Sequence, residues 1–237
     1  MGIRRGSIST PIIADGLVFN MDAANRASYI PNATTSYNTI DLTQSGSFIN
    51  DVSYISPPTS ASCWSFDGVD DAILIPRSDS IEPNYITVGC WVKCGTQNQA
   101  YAYIISKGYD LSADSYALYF QASTSKIRFY ARNSGGIVLS PQSSDINDNT
   151  WHYIVGTYDG SYSRLYVDGS EIGSGSPQTG DIVYNTLDLN LGKFAGDTSQ
   201  PFGYKYNGNI ANVQMYNRGL SSTDVLHNYN ALKGRFS

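Results

Sequence analysis

Two Asp-Gly pairs nine residues apart constrain this chain more than any other feature of it. Trp151-His-Tyr-Ile-Val-Gly-Thr-Tyr158 runs into Asp159-Gly160-Ser161, and Tyr162-Ser-Arg-Leu-Tyr-Val167 runs into Asp168-Gly169. Asp-Gly tolerates the positive φ angles of turns whose twist matches that of paired strands, and the flanking runs are rich in residues that fit a pleated surface. The segment reads as an antiparallel hairpin closed by a second tight turn.

Short apolar runs ended by Gly, Pro, Asn or Asp recur along most of the chain. They predict strands at Gly16 to Asp22, Cys63 to Phe66, Ala72 to Pro76, Ile86 to Lys93 and Tyr101 to Ser106. Tyr116 to Phe120 and Lys126 to Tyr130 read as a hairpin, the second strand alternating Ile127 and Phe129 against Arg128 and Tyr130 as in a sheet with one face inward. Leu187 to Leu191 and Asn209 to Tyr216 flank a Gly- and aromatic-rich loop, Gly192 to Gly208. About a dozen strands at this spacing imply an all-β, two-sheet antiparallel sandwich.

Three segments stand apart. Residues 1–15 are polar and read as an arm before a domain of residues 16–237; residues 23–61, rich in Asn, Thr, Ser and Pro, read as a long wrapped loop with one or two brief strands. Only the tail predicts a helix, over 221–232: Ser221 and Asp224 have the spacing of a capping box, and Leu220 and Val225 that of a hydrophobic staple.

The length, 237 residues, fits one sandwich with appendages, and 22 Gly, 9 Pro and 19 Tyr suit short strands with many turns. The formal charge is -5 and the nine Arg and six Lys are scattered, which argues against a nucleic-acid partner. No apolar run is long enough to span a bilayer, the first ten residues lack the apolar stretch of a secretory signal, and Gly6 stands where myristoylation needs Ser or Thr, so function without membrane insertion is expected. Cys63, Cys90 and Cys94 are an odd count; on one strand, Cys90 and Cys94 would lie about 13 Å apart, too far for a disulfide, so all three read as reduced packing residues. His152 and His227, the only histidines, do not sit at zinc-ligand spacings.

Five segments carry a family resemblance. Phe66-Asp-Gly-Val-Asp-Asp71, Ile86-Thr-Val-Gly-Cys-Trp-Val92, Trp151 to Asp159, Leu165-Tyr-Val-Asp-Gly169 and Asn209 to Ser221 resemble, in order, the signature strands of the laminin-G-like jelly-roll, within the concanavalin A-like lectin/glucanase superfamily. The resemblance covers residues 62–232. The ends, Asp15 to Tyr29 and His227 to Phe236, look like those of stand-alone proteins of this fold from tailed bacteriophages, notably large phages of cyanobacteria. That likeness implies a virion structural protein, either capsid decoration or a tail or fibre component, located on the virion surface. Its partners would be other virion proteins in a homo-oligomeric or multi-copy assembly. The alternative is a carbohydrate-binding adhesin that recognises cell-surface polysaccharide.

The superfamily includes hydrolases, so the carboxylates decide whether catalysis is expected. Its glucanases carry a Glu-x-Asp-x-x-Glu strand, whereas this chain has only Glu82 and Glu171, neither in that pattern. There is no Gly-x-Ser-x-Gly elbow, and His152 occupies a packing position of the family. The chain is therefore not expected to be an enzyme. For a glycan ligand the candidates are Tyr101, Tyr103, Tyr109, Tyr204 and Tyr206, whose rings could stack on sugars or, on the plainer reading, pack the sandwich or a neighbouring subunit. Asp67, Asp70 and Asp71 offer hard oxygens for structural calcium, or serve simply as a turn that satisfies backbone amides. Asp145, Asn147, Asp148 and Asn149 are a second cluster, and Ala211-Asn212 replaces an acidic position found in many relatives.

Overall fold

The computed structural model describes residues 11–57, 61–97, 101–108, 115–121, 124–195 and 204–236. In chain order the strands are β1 (Leu17–Asp22), β2 (Thr35–Tyr37), β3 (Ser45–Ile49), β4 (Ser53–Ile55), β5 (Cys63–Asp67) and β6 (Ala72–Ile75). Then come β7 (Ile86–Cys94), β8 (Ala102–Lys107), β9 (Tyr116–Phe120), β10 (Ile127–Asn133) and β11 (Gly136–Leu139). The last are β12 (Trp151–Tyr158), β13 (Ser163–Val167), β14 (Ser170–Ser174), β15 (Leu189–Leu191) and β16 (Asn207–Tyr216), followed by the helix α1 (Ser222–Leu232).

Two antiparallel sheets result. The first runs β14-β13-β12-β7-β16-β5-β4, with β1 on the half of β16 that β5 leaves free; the second runs β11-β10-β9-β8-β15-β6-β3-β2. This is the jelly-roll sandwich expected. The Asp-Gly hairpin forms as β12 and β13, and Asp168 (φ 51°) with Gly169 (φ 80°) makes the tight turn into β14. Gly156 on β12 is packed so closely under Phe129 that an added Cβ would overlap the ring.

Alternation sends one set of side chains between the sheets. Phe19, Trp64, Phe66, Ile86, Val88, Leu118, Phe129, Ile154 and Met215 belong to this common core. The three thiols are buried and unpaired: Cys90 and Cys94 join the core, and Cys63 faces the other side of the first sheet. Burial pushes the Cys63 thiol up to about 11 and the Cys94 thiol up to about 12.

The outward face of the first sheet is covered as well. Ser221 accepts a hydrogen bond from the Asp224 amide and Asp224 accepts one from the Ser221 amide, so the capping box starts α1 as its spacing requires. Leu220 and Val225 are buried together on this face with Trp91, which stacks on Phe236 at 4.0 Å and on Tyr229 at 5.7 Å. Residues 11–13 fold onto the same side: the Ile13 amide donates to Asn228 Oδ1 at 2.8 Å, and Pro11 O accepts from His227 Nε2 at 2.8 Å. No helix among the described residues is long and apolar enough to cross a membrane.

Residues 23–61 are more regular than their composition suggests. They supply three strands, with β2 and β3 forming one edge of the second sheet and β4 an edge of the first. The buried hydroxyls of Ser28 and Ser36 and the Asn38 carboxamide replace apolar packing here with side-chain bonds to the backbone. β10 also departs from the expected pattern: Tyr130, on its outward side, is 2% exposed. The second sheet therefore buries aromatic residues on both faces.

Candidate functional site

The outward side of β8, β9 and β10 gathers aromatic rings. A bulge at Ile104 lets both Ile104 and Ile105 enter the core and keeps Tyr103 opposite Tyr119 on the outer face. Tyr103 stacks on Tyr119 at 5.3 Å and meets Phe194 at 4.7 Å, while Tyr119 lies edge-on to Tyr130 at 5.6 Å. These four rings form a buried floor. Half-buried Tyr101 and Tyr204 form its rim, 5.6 Å apart and edge-to-face. Tyr204 is held in place because its carbonyl accepts the Tyr103 amide at 3.2 Å. Each such ring pair contributes about 0.5–1.5 kcal/mol beyond burial, enough to hold a rigid platform. Along β10, Arg128 and Arg132 flank Tyr130 on this face.

The structure thus brings together Tyr101, Tyr103 and Tyr204 of the residues singled out by sequence. Tyr109 lies outside the described residues. Tyr206 is corrected: it is 0% exposed between the sheets, with its hydroxyl hydrogen-bonded to Lys93 O and Asn209 O and paired with Cys94 Sγ at 3.3 Å. It has no face to offer a ligand, and burial pushes its hydroxyl well above the ordinary tyrosine range. Sequence reasoning missed Tyr119, Tyr130, Phe194 and the two arginines. The signal was the run Tyr116-Ala-Leu-Tyr-Phe120, apolar at every position, which marks a strand covered on both faces.

Asp67, Asp70 and Asp71 converge at the turn between β5 and β6, their ligand oxygens all within 4.8 Å of one another. Asp67 Oδ1 accepts the Val69 amide at 2.7 Å, and Asp71 Oδ2 accepts the Asp67 amide at 3.0 Å. Asp71 is 4% exposed and its Oδ1 makes no hydrogen bond of good geometry. Burial first, then the charges of Asp67 and Asp70, outweigh the pull of the Asp67 and Asp51 backbones and hold the Asp71 carboxyl above its ordinary range. Three mutually repelling carboxylates with one buried oxygen left over suit a hard cation such as calcium. The second acidic cluster is engaged otherwise: Asp148 bonds Thr150 and His152.

Several other titratable groups form structural pairs. Glu82 receives Arg77 Nε and Lys107 Nζ, each at 2.8 Å, at one end of the core. Glu171, on the edge strand β14 of the other sheet, accepts from Ser222 Oγ at 2.8 Å. His152 is not a packing residue: Nδ1 donates to Asp168 Oδ2 at 2.8 Å, and Nε2 faces Thr150 Oγ1 at 3.1 Å.

A family model described as the concanavalin A-like lectin/glucanases superfamily, of the laminin-G type, matches residues 67–226. The chain belongs to this superfamily. No match was found among curated protein sequences. Among solved structures, the chain is similar to the binding domain of the paraclostridial mosquitocidal protein 1 (14% identity, TM-score 0.69, covering 91% of this chain and 52% of that one). It is also similar to botulinum neurotoxin type C, whose cell entry depends on interaction with two ganglioside molecules (14% identity, TM-score 0.67, 92% and 51%). A third is Trypanosoma rangeli sialidase in complex with sialic acid (16% identity, TM-score 0.66, 96% and 36%). The chain therefore spans about half the first two structures and about a third of the sialidase, and at these identities the likeness establishes the superfamily fold alone.

Proposed function

We propose that this domain is a non-catalytic carbohydrate-binding module, displayed on a virion surface, that takes its ligand on the aromatic face of the second sheet. The observation that carries the reading is the collection of six rings on one outward sheet face, with Tyr101 and Tyr204 left half-exposed at its rim. Rings so placed stack on the apolar faces of sugars while neighbouring polar groups take the hydroxyls. Superfamily membership supports this, as do the ganglioside and sialic acid of the similar structures. The non-catalytic part rests on the glutamates: the glutamate pair of the superfamily's glucanases has no counterpart, because Glu82 is tied to Arg77 and Lys107 and Glu171 sits on the opposite sheet.

Display is supported by the placement of the two ends of the described chain. Residues 11–13 and α1 lie on the outward face of the first sheet, opposite the aromatic face, so attachment to other virion proteins there leaves the second sheet outward. A glycan array with the wild type and Tyr204→Ala tests the binding. Hits lost in the variant support it, and an array without hits, or hits unchanged by the variant, overturns the site. Mass spectrometry of purified particles tests the display. Absence from particles leaves the adhesin reading in its place.

The Asp67–Asp70–Asp71 turn is proposed to hold calcium as a structural ion, a reading favoured by the buried Asp71 Oδ1, which makes no hydrogen bond of good geometry. Calcium should then raise the melting temperature of the wild type and leave that of Asp71→Asn unchanged; an equal effect on both, or none, overturns the assignment.

A further inference from the structure

The ligand face carries two cations that the fold itself does not neutralise. Arg77, Arg164, Arg218 and Arg235 each hold a carboxylate. Arg128 and Arg132 do not: among the described residues neither has an ion-pair partner, and the Nε of each is buried without a hydrogen bond. Two half-buried guanidinium groups four residues apart on one strand, with Tyr130 between them and no carboxylate among the described residues to neutralise them, are a pair that an anionic ligand can engage at their accessible edges.

Their positions are set by the sheet. Arg128 lies opposite Tyr119, Tyr130 opposite Ala117, and Arg132 opposite Ile137. All three point to the side away from Ile127, Phe129 and Ala131, which are fully buried in the common core. At the rise of a strand the two arginines stand about 13 Å apart, farther than one sugar ring reaches. The planar guanidinium forks match carboxylate or sulfate oxygens better than neutral hydroxyls do. These two cations, unpaired among the described residues, stand out in a chain whose net charge is -5.

We propose that the aromatic face selects an acidic oligosaccharide, one whose carboxylate or sulfate groups engage Arg128 and Arg132 while its rings lie across the Tyr101–Tyr204 rim. This inference rests on the glycan-binding reading above and adds the charge and the minimum length of the ligand. The platform supplies stacking to either a neutral or an acidic chain; the arginines make the difference between them.

The test uses the whole chain and matched probes that share a backbone and differ in charge: oligogalacturonate against its methyl ester, and sialyllactose against lactose, titrated calorimetrically at low and moderate salt. The expected result is that the acidic member of at least one pair binds about tenfold or more tighter than the neutral one. That preference should weaken with salt, fall in Arg128→Gln and Arg132→Gln, and persist in part in Arg128→Lys, with all three variants melting close to the wild type. Neutral and acidic members bound equally well, with binding lost in Tyr204→Ala, would overturn the acidic ligand and keep the site. Binding unaffected by either the arginine or the tyrosine changes, or no binding in any pair, overturns both.

Discussion

Arg235 and Asp22 face each other across a two-pronged ion pair, Nη1 to Oδ2 and Nη2 to Oδ1 both at 2.7 Å, although 213 residues separate them. The pair fastens the segment after α1 to the end of β1, and Asp22 also caps the Ala24 amide at 2.9 Å. Asp22→Ala should therefore cost more than Arg235→Gln, about 2 kcal/mol against about 1, because it removes both functions. Urea denaturation of the two single variants and the double variant measures the difference and the coupling.

Gly156 is fixed by Phe129. Gly156→Ala is expected to destabilise the domain by about 1–3 kcal/mol through overpacking, and Phe129→Leu in the same chain to recover part of the loss. Equal, additive losses in the double variant would show that the two residues do not press on one another.

At the end of the core, Lys107 relies on Glu82, while Glu82 also has Arg77. Burial lowers Lys107 from its ordinary range despite the carboxylate beside it; burial would raise Glu82, but the bonds from Arg77 and Lys107 outweigh it and hold the carboxyl low. Glu82→Gln at neutral pH should cost about 3–5 kcal/mol, more than Lys107→Met, since only the first leaves a buried charge without its counter-charge. In Glu82→Gln the folded state resists protonating Lys107, so stability should climb as pH rises toward the ordinary lysine range. Chemical denaturation at pH 7 and pH 10 reads this directly.

His152 gives the opposite sign. The hydrogen bond to Asp168 raises its proton affinity despite partial burial, with Asp148 adding to the effect. The clamp is thus fully present below the ordinary histidine range and lost as pH rises through the elevated folded value. The melting temperature should drop by about 2–4 °C on the alkaline side of that transition, as expected for a loss near 1 kcal/mol in a domain this size. His152→Gln should flatten the profile.

Local chemistry explains which parts of this structure were legible in the sequence. The β12–β13 hairpin and the start of α1 are encoded by neighbours in the chain: Asp168 and Gly169 for the turn, Ser221 and Asp224 for the cap. β2 and β4 are three-residue edge strands whose pairing with β3 and β5 is set by the partner, so their own composition says little. The candidate site was half legible. Tyr101, Tyr103 and Tyr204 stood out as aromatic residues near loops, but Tyr204 and Tyr206, two positions apart, diverge because the backbone between them is not yet in the β16 ladder. Tyr206 follows its amide bond to Gly192 inward. Tyr119 and Tyr130 were obscured by strand parity, which assigns one side of a strand to the core although this sheet is covered on both.

The contact between Pro11 and His227 has an architectural consequence. Both ends of the described chain lie on the outward face of the first sheet, on the opposite side of the sandwich from the Tyr101–Tyr204 rim. Placed in an exposed loop of another protein, a domain with its ends on one face would leave the opposite sheet face turned outward without prying apart the host fold.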